Sequence, residues 1–237
     1  MLFSPEPLAC FWDTLDPAVV HFCEEELCAF IEQPANTWSN LAYIFSGLVV
    51  TRLALKENQN HLSFIGIVAI IIGIGSFFFH MSSTHLGEII DLGAMFFFSS
   101  YVLVINFRRY VHGNYGPWSS TEIGIYLALA LSGCLATYFF KGWVGTVYFA
   151  IQATIAGSLE IRILRFRKEG VSYKPLQKFI LAFGIAWTLW WLDQLGIFCN
   201  PQNHIIQGHA GWHLCNSLVF YFLYRFYAQL PWTDSTA

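Results

Sequence analysis

Seven long apolar runs constrain this chain more than any other feature of its sequence. They cover roughly residues 37–55, 62–81, 87–106, 121–140, 144–164, 176–194 and 207–228. A bilayer core about 30 Å thick takes about 20 apolar helical residues to cross, and each run is close to that length. Polar or helix-breaking clusters separate them, among them Lys56 to Asn60, Ser82 to Thr84, Gly113 to Pro117, Gly170 to Pro175 and Asn200 to Asn203. The runs are too long for tilted barrel strands and do not alternate, so helices are the only plausible spanning element. Composition agrees: of 237 residues 56% are hydrophobic, 18% aromatic and only 11% charged, against roughly 25% charged in a soluble domain. The expected fold is an all-α integral membrane bundle of seven transmembrane helices over residues 37–228. An acidic segment, 1–36, precedes it and a short tail, 229–237, follows. A formal net charge of −3 leaves no basic face for nucleic acid. Gly73-Ile-Gly75 lies inside an apolar run and reads as helix packing, not as a phosphate loop.

Positive charge sets the orientation, because Lys and Arg concentrate on the cytoplasmic side. With the N-terminus outside, the cytoplasmic set is Arg52, Lys56, Arg108, Arg109, Arg162, Arg165, Arg167, Lys168, Lys174, Lys178 and Arg225, eleven of the twelve. Only Lys141 falls outside. The first 36 residues contain no Lys or Arg and hold seven of the fifteen acids, which makes them easy to translocate, or simply a solvated acidic tail. The start lacks the basic and short apolar regions of a cleavable signal peptide. The expected topology is N-terminus outside, C-terminus cytoplasmic.

On that topology the polar membrane residues converge at one depth near the outer face. Span two ends with Ser76-Phe-Phe-Phe-His80, span three carries Asp91 about one turn in, span six ends with Asp193, and span seven opens with His209-Ala-Gly-Trp-His213. Ionisable groups inside a bilayer are costly, and a cluster of them is a functional hypothesis by default. His209 and His213 are four residues apart and share one helical face, as do Ser76 and His80. Three histidines from two helices make a three-ligand site with one open position, the pattern of catalytic zinc. Singly, each has a plainer reading: a core histidine for His80, a helix cap or indole partner for Asp91, a structural role for Asp193.

Gly73-Ile-Gly-Ser76-Phe-Phe-Phe-His80, then Asp91, then His209-x-x-x-His213 resembles the alkaline ceramidases and their bacterial relatives, in the CREST superfamily of seven-span membrane hydrolases. Asn36-Thr-Trp-Ser-Asn40 and Cys23-Glu24-Glu25 match as well, so the resemblance runs from about residue 21 to 225. It implies an intramembrane zinc amidase that cleaves ceramide-like lipids to a long-chain base and a fatty acid. His80, His209 and His213 would bind zinc, and Ser76 and Asp91 would hold the attacking water. It also implies a calcium site in the N-terminal segment, for which Glu24, Glu26 and Glu32 are the candidates. The family's first Asp is His21 here, and its later Glu falls on Gln33. Compact loops and a short tail look bacterial, which places the protein in a bacterial inner membrane with the site near the periplasmic face.

Zinc held by three neutral imidazoles keeps its full charge and acidifies water toward a pKa of about 7. Asp91 is then the base that takes the water's proton and returns it to the leaving amine. Ser76 reads as a hydrogen-bond donor to the oxyanion and not as a nucleophile, because no histidine is left over as its base. Phe77, Phe78, Phe79, Phe96, Phe97 and Phe98 are candidates to line an acyl cavity. The alternatives are a lipid esterase of the same superfamily and a zinc-containing receptor resembling the adiponectin-receptor group. The substrate is a membrane lipid, and nothing points to a protein partner. Cys23 and Cys199 both fall on the outer side and are expected to form a disulfide. Cys10 and Cys28 share that side and compete as partners, while Cys134 and Cys215 lie within spans.

Overall fold

A computed structural model describes residues 9–113, 115–166, 170–197 and 199–233. Glu6 of the acidic segment, Arg167 and Lys168 of the basic loop and the last four residues of the tail lie outside the described residues. The regular elements of the described chain are helices: α1 (Pro34–Ser39), α2 (Leu41–Lys56), α3 (Ser63–Ser82), α4 (His85–His112), α5 (Ser120–Phe139), α6 (Val144–Phe166), α7 (Lys174–Gln194) and α8 (Gly208–Tyr227). Among the described residues, five stretches are long and apolar enough to cross a membrane: Pro34–Lys56, Asn60–Ser82, His85–His112, Ser120–Phe139 and Val144–Phe166. α7 and α8 match them in length, at 21 and 20 residues. Charges near the ends of α7 and the His, Asn and Arg residues of α8 lower their hydropathy.

Two boundaries differ from the sequence reading. The first expected span is broken at Asn40 into a one-and-a-half-turn helix and α2, so the 36/37 boundary falls inside α1. α4 runs on to His112 and stops at Gly113, whose φ of 67° only glycine adopts freely. The extension carries Arg108 and Arg109 into the helix, where both are buried and paired, with Glu122 and Glu160. They are buried helix charges, not the loop charges expected from the sequence.

The bundle is built inside out relative to a soluble protein. Large apolar side chains face outward at helical spacing, such as Ile67, Ile71 and Ile74 on α3 and Leu127, Leu131 and Leu135 on α5. Many polar side chains are interior. Where lipid is the solvent, polar groups are the ones that must find partners inside. α2 and α3 cross through Gly47 and Gly66, where a Cβ on either would come within 2.5 Å of the other's carbonyl oxygen. Gly73 likewise lies against Tyr43 and Ile44 of α2, the packing role expected of it.

α2, α3, α4 and α8 form one side of the bundle, α5 packs outside α4, and α7 pairs with α8. α6 leans on α4 and makes almost no contact with α7. Between α4, α6, α7 and α8 lies a cavity of about 330 Å³. The described N-terminal segment is not a loose solvated tail. It crosses the end of the bundle near the α3–α4 turn, with Ala18 N donating to Ser83 O, Val19 N to Glu88 Oε2 and Gln33 N to His80 O.

Candidate functional site

The tight α3–α4 turn fixes the first half of the site. Ser83 takes a left-handed conformation, φ 45°, and Thr84 caps α4 by accepting from Gly87 N. That reversal brings His80, near the end of α3, and Ser76, one turn earlier, opposite Asp91 on α4. The second half comes from the start of α8. Asp193, at the end of α7, accepts from His209 N at 3.0 Å and from Cys23 N at 2.9 Å, anchoring both the α8 start and the N-terminal segment.

His80, His209 and His213 are buried and converge. Their ligand atoms all lie within 4.8 Å of one another. His80 Nε2 and His209 Nε2 are 3.1 Å apart, and Ser76 Oγ lies 3.5 Å from His213 Nε2. Asp91 interacts with the Ser76 hydroxyl, and both line the upper end of the cavity with His209 and His213. The five residues singled out in the sequence thus meet in one place.

The outer ring nitrogens reveal partners that the sequence reading missed. Gln33 Oε1 accepts from His80 Nδ1 at 2.8 Å, and a carbonyl oxygen can only accept. Ser39 Oγ spends its own proton on Asn36 O at 2.9 Å, so at 2.7 Å it accepts from His213 Nδ1. Both imidazoles are therefore held with Nδ1 protonated and a bare Nε2 lone pair facing inward. His209 is stacked on Phe22 with ring centroids 3.6 Å apart, and its Nδ1 has no hydrogen-bond partner among the described residues. A metal-binding histidine usually donates its other ring N–H to a neighbour, which fixes the tautomer. Nitrogens sharing one tetrahedral zinc at about 2.0–2.1 Å lie about 3.3 Å apart, close to the 3.1 Å between His80 Nε2 and His209 Nε2. The donor set fits a zinc ion.

The calcium candidates do not converge. Among the described residues, the histidine triad is the only such group of three or more His, Cys, Asp or Glu side chains within ligand distance. Glu24 is buried and already used: Oε1 accepts from Ala35 N at 2.8 Å and from His204 Nδ1 at 3.1 Å, and Oε2 from Asn36 N at 2.8 Å. It caps α1. Glu26 faces His21 at 3.2 Å in an exposed pair. Burial pushes the Glu32 carboxyl up to about 7, against the opposing pull of Ser83. The residues do not fit a calcium ion as they fit zinc.

Two disulfides tie the segment down: Cys23–Cys199 and Cys10–Cys28. The first joins it to the loop before α8, and the second closes the segment on itself. Cys134 and Cys215 are free. Of the six phenylalanines expected along the cavity, Phe79 and Phe98 line it. Phe96 fills the space under Gly133 beside Tyr148, Phe97 packs on Tyr126, and Phe77 and Phe78 face Trp38 and Trp12.

A helical bundle with an apolar exterior and a buried three-histidine group that can hold a metal ion, set over an apolar cavity, fits a multi-pass membrane protein. Comparison with known proteins gives the same class. The Ceramidase family profile matches residues 16–235. The alkaline ceramidase YPC1 of Saccharomyces cerevisiae is 23% identical over 233 residues, covering 86% of this chain and 74% of the relative. Alkaline ceramidase 1 of Homo sapiens is 22% identical over 215 residues, covering 85% and 78%. The chain belongs to the ceramidase family. Members of that family are hydrolases of the ceramide amide bond, the enzyme class that the sequence implied.

Proposed function

We propose that this protein is a zinc-dependent amidase that cleaves the N-acyl bond of ceramide-like lipids, giving a fatty acid and a long-chain base. The observation that carries the reading is the convergence of three buried imidazoles, two with Nδ1 held by Gln33 and Ser39, at the mouth of an apolar cavity beside Asp91 and Ser76. His80, His209 and His213 would hold the zinc ion, which when bound would supply Lewis acidity toward the amide carbonyl and lower the pKa of water. Asp91 takes the proton from the attacking water and delivers it to the departing amine, so amide and water become acid and amine. The Ser76 hydroxyl donates to the oxygen on which negative charge develops. The apolar cavity takes the acyl chain, and the α6–α7 gap offers access from the bilayer.

The proposed topology is seven spans, with α7 and α8 as the sixth and seventh and the site end outside. In this topology residues 37–228 would be the hydrolase domain, 1–36 a non-cytoplasmic segment and 229–237 a cytoplasmic tail. Supporting it, Lys141 lies near Asp16 at the site end, while Arg225 pairs with Glu57 at the other. A bacterial inner membrane with a periplasmic site suits the oxidised cysteines. Calcium is given no role, because the Glu24 carboxylate is occupied by two backbone amides and His204. Fatty-acid release from an N-acyl long-chain base by purified protein, abolished by chelation and restored by zinc, tests the reading. No release from any N-acyl lipid refutes it, and preference for an ester returns the esterase alternative. Metal and lipid binding without turnover returns the receptor alternative.

A further inference from the structure

The cavity beneath the histidines has a floor of different chemistry from its walls. Its far end is bounded by Asn106 on α4, Glu160 on α6 and Tyr227 on α8. All three belong to one buried network. Arg109 Nη1 donates to Glu160 Oε2 at 2.5 Å and to Asn106 Oδ1 at 3.1 Å. Tyr227 donates to Asn106 Oδ1 at 2.9 Å, Tyr173 to Glu160 Oε1 at 3.2 Å, and Asn106 Nδ2 to Ala156 O at 3.0 Å. A buried ion pair braced by partners on three helices does not yield easily, because displacing one partner leaves a charge unpaired in a low dielectric.

Helix geometry sets the distance from site to floor. At 1.5 Å per residue, Asp91 and Asn106 stand about 22 Å apart along α4, and His213 and Tyr227 about 21 Å apart along α8. Carbon–carbon bonds of about 1.5 Å in a staggered zigzag advance about 1.25 Å each. An extended chain of about 16–18 carbons therefore spans the gap. We infer that the Asn106–Arg109–Glu160–Tyr227 network is a chain-length stop, which selects N-acyl lipids with acyl chains of about 16–18 carbons and rejects very long ones. The inference rests on the reading that the cavity holds the acyl chain. Each methylene buried against the walls favours binding about fourfold. At the floor that gain ends, because the next carbon must displace Asn106 or Tyr227 from its hydrogen bonds.

Gly157 gives a test that spares the network. It lines the cavity about one turn from Glu160, and a Cβ there meets nothing within 4 Å. Gly157→Leu fills the last turn above the floor, in a helix where leucine is favoured over glycine. The complementary double variant, Asn106→Ala with Tyr227→Phe, removes the polar tips and keeps the Arg109–Glu160 pair. The experiment measures kcat/KM for N-acyl long-chain bases of 8 to 24 acyl carbons, beside competitive binding of the matching free fatty acids to the same purified proteins. The wild type should peak at about 16–18 carbons, Gly157→Leu about four carbons lower, and the double variant about two carbons higher. A rise without a break to 24 carbons, or a peak that Gly157→Leu leaves in place, overturns the length stop. If no chain length is hydrolysed, the amidase reading fails, and the fatty-acid binding series decides the stop by the same two criteria.

Discussion

Gln33→Met is the sharpest test of how the histidine cluster is held. Gln33 Oε1 accepts from His80 Nδ1 at 2.8 Å and from Asn36 Nδ2 at 3.3 Å. Methionine is similar in size and keeps the space filled, but it offers no oxygen. His80 is fully buried, so its Nδ1–H would have no water to turn to. An orphaned buried donor costs about 1–3 kcal/mol. The imidazole can relieve that cost by moving its proton to Nε2, which removes the lone pair that faces His209. Either way the metal-competent tautomer is disfavoured, and loss of such a partner typically lowers metal affinity about 10–100-fold. The expected result is a folded protein whose zinc affinity falls by that factor, about 1.4–2.7 kcal/mol. Competition against a chelating dye in detergent measures it, with a thermal melt of the metal-free protein to report folding. Zinc affinity within about threefold of wild type would refute the argument that Gln33 sets the His80 tautomer.

Asp91→Asn should retain zinc and lose about 10²–10⁴-fold in amidase turnover, because the amide keeps the shape but cannot take the water's proton; near-normal turnover removes Asp91 from the mechanism. The purified wild type should carry about one zinc per chain and His213→Ala markedly less, read by elemental analysis; active wild-type protein without zinc sinks the cluster's role. Cys23→Ser should lower stability by up to about 5 kcal/mol, an upper bound because the membrane already restrains the unfolded chain. Non-reducing peptide mapping of the wild type should find the Cys23–Cys199 and Cys10–Cys28 peptides linked, and free alkylation of Cys23 before reduction would exclude the bond.

Much of the helical layout was legible because lipid is an undemanding solvent for sequence reading. A run such as Ser63–Ser82 has to be apolar on its outward face over its whole length, and its limits match the expected 62–81 closely. The misreadings fall where tertiary partners decide. Arg108 and Arg109 look like loop charges beside a glycine. Inside the bundle Glu122 and Glu160, 14 and 51 residues away in sequence, make their burial affordable. Glu160, the one acid on the 144–164 run, was the available signal. The Asn40 break was signalled by the Asn36-Thr-Trp-Ser-Asn40 string, whose side chains hydrogen-bond their own backbone and interrupt a helix.

The site divides along the same line. His80, Asp91, His209 and His213 stood out because an ionisable residue within an apolar run is improbable without a use, and helical spacing said which of them share a face. Gln33 and Ser39 carry no such mark, being ordinary polar residues near the start of a helix. Their roles depend on the fold of a segment that the sequence presents as acidic and loose. Glu24 caps α1 through Ala35 and Asn36 and holds the Gln33 side chain through its own carbonyl. Gln33 in turn holds His80, and Phe22 lies over His209. Asp193 and the Cys23–Cys199 bridge fasten the same segment to the start of α8. Despite the charge of the segment, Glu24 is interior, and it serves to orient an imidazole two hydrogen bonds away. A reading limited to the membrane spans finds the residues that would touch a metal and misses the half of the site that aims them.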